Sequence, residues 1–126
     1  MTLNHHFDRS AALVTGNKTL TAADSAVVQV VSADNVVITL PSTALGLNFT
    51  IVNGSRYDGE FGYTVAPAAA DGFTGNGFTP AINKAAVVSK ATSRAKDQFT
   101  VLGTGAAGVT AWVFQNPLQG TITRAA

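Results

Sequence analysis

The chain has no cysteine, which excludes disulfide frameworks, thiol catalysis and thiolate metal sites. Its two histidines are adjacent, at positions 5 and 6. Charge is equally sparse: 12% of the 126 residues are charged, about half the ~25% typical of soluble domains. No apolar run approaches the ~18 residues of a membrane-crossing helix. Met1 to Arg9 carries neither a basic leader nor an apolar stretch, so no secretory signal is expected. Good helix formers other than alanine are few, with one glutamate against six aspartates.

What remains is a vocabulary of Ala, Thr, Val and Gly, with 46% hydrophobic residues and a net charge of +1. That apolar content excludes disorder, and the length suits one domain. So little charge leaves a surface that favours cover by other subunits. Residues 1–10 are polar and without pattern, and read as an extended arm ahead of a single domain over 11–126. From there, short runs rich in β-branched residues recur between turn signals. Strands are expected at 25–31, at 36–40 with Val36, Ile38 and Leu40 on one face, at 47–52, 61–65, 85–89, 98–102 and 109–114, and near 120–123. Asp34-Asn35 and 103–108 read as turns, and Asn53-Gly54 as the strongest turn signal. The stretch 68–80 is glycine-rich and reads as a loop with short extended pieces, and 11–24 is the least patterned segment. About eight short strands predict an all-β fold: a small β-sandwich, a jelly roll or a barrel-like domain.

Candidate chemistry is thin. His5 and His6 would point to opposite faces of a strand and have no third ligand near them in sequence, so an arm fits better than a metal site. Asp58 and Glu60 share one side of an extended chain, as paired acid–base carboxylates would, but beside Gly59 they read as solvated loop charges. Asp71, in Asp-Gly-Phe-Thr-Gly-Asn-Gly, lacks the ligand spacing of a calcium loop and reads as a turn former. Gly72, Gly75 and Gly77 are followed by no phosphate-binding Lys-Ser/Thr. Lys84, Lys90, Arg94 and Lys96 form a basic cluster too small, and too poor in interleaved aromatics, for nucleic acid. It reads as a loop or a rim that meets a partner. Trp112 on a strand reads as core or inter-subunit packing.

One resemblance emerges from the motifs. Ile38-Thr-Leu-Pro41, Gly46, Phe49-Thr-Ile-Val-Asn53, Val65-Ala-Pro67, Asp71-Gly-Phe-Thr-Gly75, Phe99-Thr-Val-Leu102, Trp112-Val-Phe114 and Gly120-Thr121 follow one another between Val36 and Thr123. This succession resembles a β-rich module of tailed-phage virion proteins, found in fibres, tail appendages and capsid-associated proteins. The chain departs from the pattern in its Gly75-Asn-Gly77 loop and its alanine-rich strand at 85–89. The resemblance implies a scaffold protein without catalytic residues or cofactor.

The size and low charge resemble phage capsid decoration (cement) proteins. The expected role is to clamp the major capsid protein lattice on the outer surface of the virion, beside copies of itself in a homotrimer or homodimer. Synthesis is expected in the host cytoplasm, with no membrane and no direct nucleic-acid contact. Residues 1–15 would act as the clamp by adding a strand to a neighbour. The expected partner-binding residues are Leu3, His5, His6, Phe7 and Arg9 of the arm, with Lys84, Lys90 and Arg94. The alternative is a tail-tip or fibre module that contacts cell-surface glycan through exposed Tyr57, Tyr63 and Trp112.

Overall fold

A computed structural model describes residues 10–75, 78–115 and 122–125. Among them lie eleven strands: β1 (Ala11–Val14), β2 (Lys18–Thr19), β3 (Val28–Val31), β4 (Val36–Thr39), β5 (Asn48–Asn53), β6 (Tyr63–Ala66), β7 (Asp71–Thr74), β8 (Ala86–Val88), β9 (Gln98–Gly103), β10 (Gly108–Gln115) and β11 (Ile122–Arg124). A 3-10 turn at Ala22–Asp24 is the one helical element among the described residues, and there the Thr21 amide donates to Asp24 Oδ2 at 2.8 Å.

Of the architectures allowed by the sequence, the two-sheet β-sandwich is the one present. Sheet A has the order β1-β3-β5-β9-β10-β7, and sheet B the order β11-β8-β6-β4-β2. The chain changes sheet at every step from β1 to β9. In sheet A, β1, β3 and β5 lie parallel, as β2, β4 and β6 do in sheet B. The first half is therefore a flattened coil that lays one strand on each sheet per turn. The second half closes it with antiparallel pairs, β8 on β6, β9 on β5 and β11 on β8. The coil is a structural repeat that no sequence repeat announces, because its steps are unequal: Ala11 to Val28 to Thr50 in one sheet and Lys18 to Ile38 to Val65 in the other.

Alternation places the core as expected. Val36 and Ile38 of β4 and Tyr63 and Val65 of β6 face Phe49 and Ile51 of β5 and Phe99 and Val101 of β9 within one buried cluster. Aromatic rings fill one half of it: Phe73 stacks on Phe114 at 5.1 Å between centroids, and Phe49 meets Trp112 at 5.7 Å. Gly103 lies opposite Trp112 in the ladder, and a side chain there would meet the Ala44 carbonyl at 2.4 Å.

Several expectations are corrected. Within 68–80 the extended piece at 71–74 is a sheet strand, β7, because Phe73 supplies core surface and Gly72 lies too close to the Ala81 carbonyl to carry a side chain. Asp71 is not a local turn former: it is 2% exposed, and its Oδ2 accepts the Thr43 amide. Asn53-Gly54 makes no hairpin. Asn53 is a buried strand residue whose amide donates to Asp97 O, and Gly54 donates to Val31 O. The least patterned segment contributes β1 and β2, so 11–14 of the expected clamp is paired within the chain's own sheet.

Candidate functional site

Two surfaces contrast. The first is the outer face of sheet A. Register places Leu13, Val30, Val52 and Gln98 in one outward row and Ala11, Val28, Thr50, Thr100 and Gln115 in another. A third row runs through Asn48, Leu102, Val113 and Thr74. No row holds a charged residue. Outward faces of β-sheets are ordinarily polar, whereas here β-branched and leucine side chains dominate. At its centre the hydroxyls of Thr50 and Thr100 lie 2.8 Å apart across β5 and β9, buried together with Val28. Leu13 is 69% exposed at the edge of this face.

The second surface is one end of the sandwich, where the connections β3–β4, β5–β6 and β8–β9 meet. More than half of the chain's charged side chains gather there: Asp34, Arg56, Asp58, Glu60, Lys90, Arg94, Lys96 and Asp97. They mostly hold loops together. Asp34 accepts the Gly62 amide at 2.8 Å and pairs with Lys90 at 3.1 Å. The Gly62 amide, and then Lys90, hold its carboxyl below the usual carboxylate range. Glu60 accepts both the guanidinium and the amide of Arg56, which likewise lowers its pKa. Asp58 accepts the Ala95 amide, and the Asn53 side chain bridges Arg94 O and the Ser55 amide. The carboxylates at 58 and 60 thus each fasten a loop.

Tyr63 points inward beneath this end. Its hydroxyl and that of Ser55 are buried with no hydrogen-bond partner among the described residues. Burial, and next the charge of Asp97, push the Tyr63 phenol well above its ordinary range. A shallow depression of about 390 Å³ over β6 and β8 is lined by Thr64, Val87, Asp34 and Lys90, and its two charges neutralise each other.

The basic residues expected to form one patch are separated. Lys90 and Arg94 belong to the charged end, with Lys90 engaged by Asp34 and the Arg94 side chain exposed. Lys84 is half-buried at the opposite end of β8, which at ~3.3 Å per strand residue sets it up to roughly 20 Å from Lys90. Leu3, His5, His6, Phe7 and Arg9 lie outside the described residues.

The expected glycan-binding aromatics are likewise divided. Trp112 is fully buried and Tyr63 is 2% exposed, because both occupy inward positions of the alternation; only Tyr57, 58% exposed beneath the Arg56 guanidinium, faces solvent. Among the described residues, no group of three or more His, Asp or Glu is placed to hold a metal ion, and no helix is long and apolar enough to cross a membrane.

Sequence reasoning missed the uncharged face and its Leu13 edge. The signal was available: β1, β3 and β5 contribute no charged residue between them. It could not be used without knowing that these three strands are neighbours. No protein-family model matches the chain, and no curated protein is similar to it.

Proposed function

We propose that this chain is a non-enzymatic structural protein of a tailed-phage virion, a decoration protein that binds the major capsid protein lattice on the outer surface of the shell beside copies of itself. The observation that carries the reading is the uncharged outer face of sheet A, where Leu13 is exposed and Val30, Val52, Leu102 and Val113 are partly exposed around a buried centre of Val28, Thr50 and Thr100. Partly exposed apolar side chains on a face without charge suit contact with a partner. At the charged end, Asp34, Asp58 and Glu60 are engaged by backbone amides of the loops around them. The succession of motifs from Val36 to Thr123 supports the phage context. The glycan-binding alternative keeps one exposed aromatic, Tyr57.

Contacts of this kind are weak singly and numerous over a shell. A ligand that binds one state of the lattice stabilises that state by mass action. Quantitative mass spectrometry of purified virions is expected to find hundreds of copies, and shells lacking the protein should bind it in about 1 M salt, where charges are screened beyond ~3 Å. A few copies per particle, or complete release by salt alone, would overturn the reading.

A further inference from the structure

The sandwich has four edges among its described residues, and three carry a device that discourages further strand pairing. β7 is covered by the following loop: the Asn83 amide donates to Asp71 O, and the Ala81 carbonyl lies against Gly72. β2 is two residues long, and its Lys18 lies in the inward register, with Nζ 2.8 Å from Gln29 Oε1. β11 is three residues long and carries Arg124. β1, Ala11-Ala-Leu-Val14, has no charge, no proline and no bulge, and its Leu13 is the exposed large hydrophobic residue of the adjoining face.

The backbone of β1 is set for a second neighbour. The carbonyls of Ser10 and Val14 accept the amides of Val28 and Ser32. In a parallel ladder the alternate residues then turn the other way, so the N–H and C=O of Ala11 and Leu13 face outward.

We infer that β1 is a homodimerisation edge, at which β1 of one copy pairs antiparallel with β1 of a second copy about a two-fold axis. Identical strands related by a two-fold normal to the sheet can pair only antiparallel. With Ala12 on the axis, Ala11 of each copy lies opposite Leu13 of the other. Both pairs then exchange their outward N–H and C=O, making four backbone hydrogen bonds. Charge selects the copy as occupant. Neither β1 nor β3 bears a charge, so a second copy brings no like charges together, while a charged segment would find no counter-charge there. The two six-stranded sheets become one of twelve strands, each Leu13 is covered, and the uncharged outer faces become continuous. The inference goes beyond the decoration reading and stands on the isolated chain.

The test uses the full chain. Sedimentation equilibrium from low micromolar to several hundred micromolar should show a monomer–dimer equilibrium. Leu13→Lys should weaken it tenfold or more, and Leu13→Pro, which removes an outward N–H that β3 does not use, should do the same, both with an unchanged circular dichroism spectrum. Since the chain has no cysteine, Ala12→Cys reports on one contact. A non-hydrogen-bonded antiparallel pair sets its Cα atoms about 4.5 Å apart, within disulfide range, so mild oxidation should give a covalent dimer. A monomer across the whole range, a trimer indifferent to Leu13→Lys, or dimerisation only after deletion of residues 2–9 would each overturn the inference. A chain that dimerises through β1 but does not bind shells would instead overturn the decoration reading.

Discussion

Asp71 Oδ2 accepts the backbone amide of Thr43 at 2.8 Å, across 28 residues of sequence. The Thr43 hydroxyl donates in turn to Ala111 O at 2.7 Å, and the Asp71 carbonyl accepts the Asn83 amide. One buried carboxylate thus ties the connection after β4 to edge strand β7. Asp71→Ala should lower stability by about 2 kcal/mol, the range for a lost hydrogen bond to a charged group with its donor left unpaired. Asp71→Asn, which keeps an acceptor oxygen, should recover part of the loss. Urea unfolding with an unchanged m value would check both.

Gly54 and Gly16 make a paired prediction. A Cβ at Gly54 would lie 2.5 Å from Val31 O, the acceptor of Gly54's own amide, and 2.8 Å from Val30 Cγ1. Gly54→Ala must push β3 and β5 apart and should cost about 1–3 kcal/mol, as overpacking does. Nothing lies within 4 Å of a Cβ at Gly16. Gly16→Ala should be neutral or stabilise by up to about 1 kcal/mol, through lower entropy of the unfolded chain. Melting temperatures measured side by side are the check.

Tyr63→Phe removes a buried hydroxyl with no partner among the described residues. The variant should be at least as stable as the parent, since an unsatisfied buried polar group costs about 1–3 kcal/mol. The pH dependence separates this from simple packing. The folded phenol titrates above its unfolded value, so its contribution is fully present below about pH 10, the ordinary tyrosine range, and is lost as pH rises beyond it. The advantage of the phenylalanine variant should therefore widen above about pH 10 in denaturant titrations.

Asp34 and Glu60 carry the opposite sign. Both carboxyls titrate lower in the folded chain than in the unfolded one. Their contribution is present above the usual carboxylate range and is lost as pH falls through the folded values. Hydrogen exchange should show the Gly62 and Arg56 amides, which donate to these carboxylates, losing protection below about pH 4. Amides of β5 and β9 should remain protected there. Asp34→Asn should remove the effect at Gly62 alone.

The period-two alternation of Val36-Val-Ile-Thr and of Asn48-Phe-Thr-Ile-Val by itself determined the all-β class, the place of most strands and the inward side of each. Those features depend on local sterics and on which residues avoid water. Which strand lies beside which was decided only by the tertiary structure. A half-buried strand reads the same whether its neighbour is parallel or antiparallel, so the coil of β1 to β6 left no mark in the pattern. Asn53-Gly54 failed as a turn because the interior claimed Asn53 for hydrogen bonds to Arg94 and Asp97, and because β3 passes too close to Gly54 for a side chain. Asp71 likewise serves a donor that lies far off in sequence. The uncharged face exists only because strands far apart in sequence, β1, β3, β5, β9, β10 and β7, became neighbours in one sheet. Burial and alternation are properties of a segment, while partner choice is a property of the whole chain.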